Sequence, residues 1–244
     1  MIKIFPNSDE LNFFAAEKFV EIANKAIEEN GRLTVALAGG STPKSLYQLL
    51  SSGNFKDQMD WTKVFFFFGD ERNVLPGDAE SNFRMANENL FLPLHISVEN
   101  VFRWQTELRN TEKIAEIYEE SAKFFFALNG DELPRFDLIL LGIGEDGHTA
   151  SLFPFTEALR ETKKIAVANS VEKLATTRLT LTIPVINNAA NVIFLVKGAD
   201  KAETLQTVLE GKLQPEKFPA QSIKPENGEL FWLVDEQAAA LLDR

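Results

Sequence analysis

The sequence contains no cysteine and only two histidines, and these shortages exclude several kinds of chemistry at once. Without cysteine the chain has no disulfide framework, no thiolate nucleophile and no Cys-based zinc site. A reaction at neutral pH that needs a side chain with an unperturbed pKa near ~6.5 has only His95 and His148 to draw on. Neither histidine has a partner at a metal-ligand spacing, so we expect no metal site.

Basic residues are also scarce, with 25 Lys and Arg against 36 Asp and Glu and a formal net charge of -11. A surface for nucleic acid or for an anionic membrane needs a basic face, so we expect neither partner. A small basic pocket for a phosphorylated metabolite remains compatible with this charge. No apolar run approaches the ~18 residues of a transmembrane helix. The first residues, MIKIFPNSDEL, lack the pattern of a secretory signal, which predicts a cytoplasmic protein.

Strand-like and helix-like segments alternate throughout the chain, which predicts a single α/β domain over residues 1–244. The expected fold is a doubly wound, mostly parallel sheet with helices on both faces, as in Rossmann-like proteins. The predicted strands cover residues 2–5, 33–38, 63–68, 138–141, 164–168, 178–183, 191–196 and 230–234. The predicted helices cover residues 8–30, 111–128, 199–209 and 236–242, with one more beginning at Pro43. For the first of them, Asn7 and Glu10 are the predicted capping pair and Gly31 is the predicted end.

The segment 138–154, LILLGIGEDGHTASLFP, is the most informative part of the sequence. Its apolar run predicts a buried strand, and the glycine-rich turn that follows carries Asp146 and His148 to the carboxyl end of that strand. Open α/β sheets bind their ligands at this edge. His148 is therefore a candidate general base, with Asp146 or Asp70 setting its orientation, although a purely structural histidine is the alternative. His95 has no comparable surroundings and is interpreted as a packing or surface residue.

Residues 38–43, AGGSTP, form a second candidate site between a predicted strand and a predicted helix. The two glycines let the backbone approach a ligand closely, and the free N–H groups at the start of the helix favour an anion. Ser41 and Thr42 add hydroxyl donors. The alternative is a tight turn in which Ser41 or Thr42 caps the helix.

Residues 69–72, GDER, form a third candidate site at the end of the strand that contains four consecutive phenylalanines. The Asp70 carboxylate can orient a histidine or a water there, and Arg72 can hold an anionic or carbonyl oxygen. The alternative is a solvated loop with local ion pairs. Two further cations are candidates for binding an anion, Arg178 and Lys201. Lys201 lies in the first turn of a predicted helix, where a cation is mildly unfavourable. A bound phosphate would explain that placement, and the alternative is a solvated lysine.

Taken together, these motifs resemble the 6-phosphogluconolactonase family, a branch of the glucosamine-6-phosphate isomerase/deaminase-like fold. The matching segments are AGGSTPKSLY (38–47), GDERNVLPGDAESNFRMA (69–86), LLGIGEDGHTASLFP (140–154), RLTLTIPVIN (178–187) and VKGADKA (196–202). Deaminases of this fold carry a tyrosine after the DE pair and a DGHIAFNEP-like segment, whereas this chain has Arg72 and DGHTASLFP. Glu145 departs from the lactonase pattern, which often has proline at that place.

The resemblance implies hydrolysis of the lactone of 6-phosphogluconate, the second step of the oxidative pentose phosphate pathway. It implies that His148 removes a proton from the attacking water, with Asp70, Asp146 and Arg72 around the lactone. The implied phosphate ligands are Gly40, Ser41, Thr42, Arg178 and Lys201. An ester-type carbonyl needs a base, an oxyanion stabiliser and positioning, so no cofactor is expected. The expected partner is a small sugar phosphate, and the expected state is a monomer or a small homo-oligomer.

Two other functions remain open from the sequence. A deaminase or isomerase of amino-sugar phosphates would use the same phosphate site, but Arg72 and the segment 149–151 count against it. A non-catalytic sugar-phosphate sensor would keep the phosphate ligands and could lose the base. The presence of Asp70 and His148, and the lack of a DNA-binding segment, disfavour a sensor.

Overall fold

A computed structural model describes residues 1–243 and contains two sheets with helices around them. The strands are β1 (Ile2–Phe5), β2 (Leu33–Leu37), β3 (Val64–Phe68), β4 (Asp70–Arg72), β5 (Leu138–Leu141), β6 (Ala166–Val171), β7 (Thr176–Leu181), β8 (Asn191–Val196) and β9 (Glu229–Asp235). The α-helices are α1 (Ser8–Asn30), α2 (Ser41–Leu50), α3 (Asn82–Ala86), α4 (Thr111–Phe126), α5 (Ile183–Asn187) and α6 (Ala202–Glu210). Within this part of the chain, no helix combines the length and apolar character that crossing a bilayer requires.

The main sheet has six parallel strands in the order β1-β9-β8-β5-β2-β3. Its central strands are apolar on both faces: every residue of β2 and β5 is buried, and Phe66, Phe67 and Phe68 of β3 are buried as well. Parallel sheets covered by helices on both faces require such continuous apolar runs. The predicted doubly wound α/β fold is therefore confirmed.

The caps of α1 agree with the sequence. The side chain of Asn7 accepts hydrogen bonds from the N–H groups of Asp9 and Glu10, and Gly31 ends the helix with a φ of 76°. A residue other than glycine is strained at that φ, so Gly31 ends the helix as predicted.

Two predicted strands do not lie in the main sheet, which corrects the prediction of one sheet. The segments predicted at 164–168 and 178–183 form β6 and β7, which pair antiparallel with each other and with β4 in a separate three-stranded sheet. Only a short turn, Glu172–Leu174 and its neighbours, joins β6 to β7. A turn of that length returns the chain antiparallel, because a parallel crossover needs about a dozen residues or more.

Two predicted helices also differ from the structure. The helix predicted at 199–209 begins as a 3₁₀ turn, Ala199–Lys201, and continues as α6. The helix predicted at 236–242 is absent, and the segment forms successive turns. The Asp235 carboxylate accepts the N–H of Ala238 at 2.8 Å, and a segment this short has too few residues to be stable as a helix without extensive packing.

The order of the strands determines where a ligand site can form. From β2 the chain continues to β3 on one side, whereas β5 is followed in the main sheet by β8 on the other side. The carboxyl ends of β2 and β5 therefore border a crevice at the point where the strand order reverses. The turns after these strands contain the Gly39-Gly40 pair and the Asp146–His148 segment.

Candidate active site

The crevice opens into two adjoining cavities that contain every residue predicted for the site. The first has a volume of ≈ 460 Å³ and is lined by the predicted residues Gly40, Asp70, Arg72, Asp146, His148, Arg178 and Lys201. The second has a volume of ≈ 620 Å³, shares Gly40 and Lys201 with the first, and adds Ser41 and Thr42. The small sheet contributes the arginines and the main sheet the two glycine-rich turns.

His148 is oriented by Asp146. Its ring Nδ1 lies 2.5 Å from Asp146 Oδ1, and its backbone N–H donates to the same oxygen at 3.2 Å. An ionised carboxylate only accepts hydrogen bonds, so the neutral imidazole carries its proton on Nδ1 and leaves Nε2 as an acceptor. Within residues 1–243 Nε2 has no hydrogen-bond partner. Of the two carboxylates predicted to orient this histidine, the structure selects Asp146 over Asp70.

The ring of His148 is also confined on its faces. Phe153 stacks on it with 4.1 Å between the ring centroids and an interplanar angle of 22°. A Cβ atom on Gly144 would lie 2.0 Å from His148 Cε1, so only glycine leaves room for the ring. Gly147 has a φ of 77°, which reverses the chain between Asp146 and His148. Gly144 is thus required by the His148 ring, whereas Gly147 is required by its own backbone conformation.

Asp146 also has a cationic neighbour that the sequence did not indicate. Lys173, in the turn between β6 and β7, donates to Asp146 Oδ2 at 3.0 Å. Burial disfavours the charged carboxylate, but the hydrogen bond and charge of His148, together with Lys173, outweigh it and hold the pKa of Asp146 well below its usual range. Asp146 is therefore a permanent anion beside the imidazole.

Asp70 lies in a buried polar cluster rather than in a solvated loop. Only 8% of Asp70 is exposed. Ser151 Oγ donates to Asp70 Oδ2 at 2.6 Å, and Asn82 Nδ2 donates to Asp70 Oδ1 at 3.3 Å and to its backbone oxygen at 3.0 Å. Sequence reasoning missed both donors. The signal available for them was their place within the two motif segments that also contain Asp70 and His148.

Glu71, next to this cluster, has a structural role. Its carboxylate accepts the N–H groups of Arg72, Asn82 and Phe83, each at 2.8 Å. Burial raises the pKa of Glu71, and these N–H donors oppose the rise. The carboxylate therefore ties the end of β4 to the beginning of α3 and does not line the cleft.

The two arginines of the cleft lie side by side on adjacent strands of the small sheet. Arg72 of β4 and Arg178 of β7 are directly paired in the antiparallel ladder, where like charges repel. Burial, followed by the charge of Arg72, lowers the pKa of Arg178. Arg178 Nε is buried and has no hydrogen-bond partner within residues 1–243, whereas Arg72 donates to the backbone oxygen of Glu80. An anionic ligand would reduce the repulsion between the two arginines and could accept a hydrogen bond from Arg178 Nε.

The turn after β2 presents the beginning of α2 to the second cavity. Gly40 is the N-cap residue, with a φ of 100°, and no side chain caps the helix. The alternative prediction that Ser41 or Thr42 caps it is therefore wrong. The N–H groups of the first turn remain without a side-chain partner, which is the arrangement that binds anions at helix N-termini.

Lys201 lies between the two cavities and is not a freely solvated lysine. Its Nζ lies 2.9 Å from Asp200 Oδ2 and 3.8 Å from Glu145 Oε1. Only 22% of the Lys201 side chain is exposed, against 75% for Glu145. Glu145, the departure from the lactonase pattern, thus lies at the rim of the cleft as a loose partner of Lys201.

Fold and site together define an α/β protein with a polar cleft, rich in cations, at the carboxyl edge of a parallel sheet. The family described as "Glucosamine-6-phosphate isomerases/6-phosphogluconolactonase" matches residues 6–232, and the chain belongs to this family. A 6-phosphogluconolactonase of Synechocystis sp. is 42% identical over 214 residues, which cover 88% of this chain and 86% of the relative.

Solved structures agree with this assignment. The 6-phosphogluconolactonase of Trypanosoma brucei superposes with a TM-score of 0.89 at 30% identity, covering 100% of this chain and 98% of that one. A monomeric glucosamine-6-phosphate deaminase superposes with a TM-score of 0.80 at 22% identity, covering 98% of this chain and 99% of the other. At that identity the second likeness shows the fold alone.

Proposed function

We propose that the protein hydrolyses 6-phosphogluconolactone to 6-phosphogluconate, the second step of the oxidative pentose phosphate pathway. The observation that carries the proposal is the His148 imidazole, which is bound to Asp146 through Nδ1, has no hydrogen-bond partner at Nε2 within residues 1–243, and lines the same cavity as Arg72 and Arg178. The relatives in Synechocystis and Trypanosoma brucei, both called 6-phosphogluconolactonases, support the choice of substrate.

In the proposed reaction His148 is the general base. Nε2 takes a proton from a water molecule as the water oxygen bonds to the carbonyl carbon of the lactone, and the carbonyl electron pair moves onto its oxygen. The tetrahedral intermediate collapses, the bond to the ring oxygen breaks, and that oxygen takes the proton from His148. Asp146 stabilises the imidazolium formed between the two steps, and its low pKa keeps it charged throughout.

The remaining residues bind and polarise the substrate. Arg72 and the backbone N–H groups of the turn at 144–148 are the proposed stabilisers of the oxyanion, and Asp70 lies beside the lactone. The substrate phosphate is assigned to the beginning of α2 and the cations next to it, namely Gly40, Ser41, Thr42, Arg178 and Lys201. The uncapped N–H groups of α2 support this assignment, as does Arg178 Nε, which has no hydrogen-bond partner within residues 1–243.

The chemistry assigned to these residues needs no metal or cofactor. Between residues 1 and 243 no three His, Asp or Glu side chains are grouped as metal ligands. We therefore expect turnover to continue in the presence of a chelator.

The proposal is tested by supplying purified protein with freshly generated 6-phosphogluconolactone, in buffer containing EDTA, and subtracting spontaneous hydrolysis. A parallel reaction contains glucosamine 6-phosphate. We expect hydrolysis of the lactone and no ammonia from the amino sugar. Turnover of glucosamine 6-phosphate without hydrolysis of the lactone would indicate a deaminase. Binding of both compounds without turnover would indicate a sensor. Loss of activity with EDTA, restored by zinc or magnesium, would contradict the role of His148 as the only base.

A further inference from the structure

We propose that Ser151 and Asn82 are positioning residues that hold the Asp70 carboxylate in one orientation toward the lactone. The inference rests on the proposed function, because it is there that Asp70 is placed beside the substrate. Neither residue touches the reacting atoms in the scheme above. Both act through Asp70.

Ser151 is a fixed, buried donor. Only 2% of the residue is exposed, and its Oγ lies 2.6 Å from Asp70 Oδ2. Both polar groups of its backbone are hydrogen-bonded: the N–H donates to Thr180 Oγ1 at 3.3 Å, and the carbonyl accepts from Asn169 Nδ2 at 2.8 Å. Ser151 follows His148 by three residues, so its position is linked to that of the base.

Asn82, the first residue of α3, is the second donor to Asp70. The residue is 1% exposed, and its Nδ2 is shared between the Oδ1 and the backbone oxygen of Asp70. A Cβ atom on Gly39 would lie 2.0 Å from Asn82 Oδ1, so the amide packs directly against the first glycine of the anion-binding turn. Asn82 therefore links Asp70 to the turn after β2.

The two donors together determine the plane of the Asp70 carboxylate. One oxygen accepts from Ser151 and the other from Asn82, so rotation about the terminal bond would break both hydrogen bonds at once. Through these contacts the carboxylate has a constant position relative to both the His148 turn and the Gly39 turn. Catalytic groups lose rate steeply when they are misplaced by about 1 Å, which gives such donors a catalytic effect at a distance.

A purely structural explanation is that the donors only compensate for the burial of a charge. The two explanations differ in what they predict for the folded enzyme. A structural donor changes the amount of folded protein and leaves kcat per folded molecule unchanged. A positioning donor lowers kcat, leaves KM nearly unchanged, and loses its effect once Asp70 no longer carries a carboxylate.

The test is a double-mutant cycle with Ser151→Ala and Asp70→Asn, measured as kcat and KM for the lactone on protein shown to be folded. Ser151→Ala should lower kcat by about 10- to 100-fold with less than about two-fold change in KM. In the Asp70→Asn background the same change should lower kcat by less than about two-fold. The matched control is Thr182→Val, which removes a buried hydroxyl bonded to the backbone oxygen of Lys164 and should leave kcat unchanged.

Asn82→Ala provides a second route if Ser151→Ala does not fold, with the same expected loss of kcat and the same dependence on Asp70. Full kcat in folded Ser151→Ala, or equal losses in both backgrounds, would overturn the inference while the proposed function stands. An Asp70→Asn variant with full kcat would also overturn it, because there would be nothing to position. A wild type without lactonase activity would instead reject the proposed function itself.

Discussion

At the scale of single residues, the site depends on how one imidazole is surrounded. His148 has Asp146 at Nδ1, Phe153 on one face and the space left by Gly144 beside it, so its Nε2 has one available direction. Among residues 1–243 no second histidine lines the cleft, and the sequence has no cysteine to replace His148. Every step of the proposed chemistry that moves a proton therefore depends on this ring.

Asp146→Asn should destabilise the fold in a pH-dependent way. The pKa of Asp146 is lower in the folded protein than its ordinary value of 3.8, so its stabilising effect is complete above about pH 4 and is lost as the pH falls through the folded value. We expect the substitution to cost roughly 1–2 kcal/mol of unfolding free energy at pH 6, with the difference from wild type shrinking below about pH 4. Urea unfolding at several pH values measures this, with exposed Asp131→Asn as the control. A difference that grows toward acid pH would contradict the assignment.

Arg178→Ala and Lys201→Ala should act mainly on substrate capture. Charge-assisted hydrogen bonds contribute roughly 1.5–3 kcal/mol each, so kcat/KM should fall by about one to two orders of magnitude in each variant. Inorganic phosphate should compete with the lactone in the wild type and less in the variants. Lys212→Ala is the control, since this exposed lysine lines neither cavity. Unchanged binding of 6-phosphogluconate by both cleft variants would show that the phosphate lies elsewhere.

At the scale of elements, both tyrosines of the chain hold the ends of strands that lead into the site. The Tyr47 hydroxyl donates to the carbonyl of Ala38 at 2.8 Å and accepts its N–H at 3.0 Å. The Tyr118 hydroxyl makes the same two contacts to Phe68, each at 2.8 Å. Burial raises the pKa of both phenols, so each remains a neutral donor and acceptor. The turns that contain Gly39 and Asp70 therefore each begin after a residue whose backbone N–H and carbonyl are both hydrogen-bonded to a tyrosine hydroxyl.

Gly39→Ala should disrupt the site through packing rather than through backbone conformation. The new Cβ would collide with the Asn82 amide, which cannot move without releasing Asp70. We expect kcat/KM to fall at least about ten-fold and stability to fall by about 1–3 kcal/mol. Gly53→Ala is the matched control, because a Cβ there meets nothing within 4 Å and its φ is not positive. Kinetics and thermal unfolding of the two variants measure the contrast, and equal behaviour would show that the Gly39–Asn82 contact is unimportant.

Much of this arrangement of elements was predictable from local sequence. Apolar runs predicted every strand of the main sheet, and Asn7 and Gly31 marked the ends of α1 correctly. The separate small sheet was missed, although the connection at 169–177 is too short for the parallel crossover that one sheet would need. The helix predicted at 236–242 is wrong: the alanine and leucine pattern there is helical, but the segment forms turns that begin with a hydrogen bond from the N–H of Ala238 to the Asp235 carboxylate.

The site was predictable in its members and not in all of its contacts. The turns after buried strands identified His148, Asp70 and the turn at 38–43 as neighbours in one cleft, because parallel strands bring their carboxyl ends together. Ser151 and Asn82 were missed because a hydroxyl in a turn, or an amide at the start of a helix, gives no local sign of being buried. Their burial depends on packing against β6, β7 and the Gly39 turn, which are distant in sequence.

At the scale of the whole molecule, a strongly acidic chain concentrates cations at one edge of its sheet. The formal net charge is -11, yet the first cavity is lined by Arg72, Lys173, Arg178 and Lys201. A doubly wound sheet permits this because strand ends, helix N-termini and the small sheet meet at the same crevice. These four cations would attract a phosphorylated substrate to the cavity that also contains His148.

The most direct test of the account is the turnover number of His148→Ala on freshly generated 6-phosphogluconolactone, corrected for spontaneous hydrolysis. General-base catalysis contributes about 10²- to 10⁴-fold, so kcat should fall within that range while the affinity for 6-phosphogluconate stays close to that of the wild type. The control is His95→Asn at the other histidine, which is exposed and has a φ of 53° that asparagine tolerates. A folded His148→Ala variant with near-normal kcat would contradict the assignment of His148 as the base.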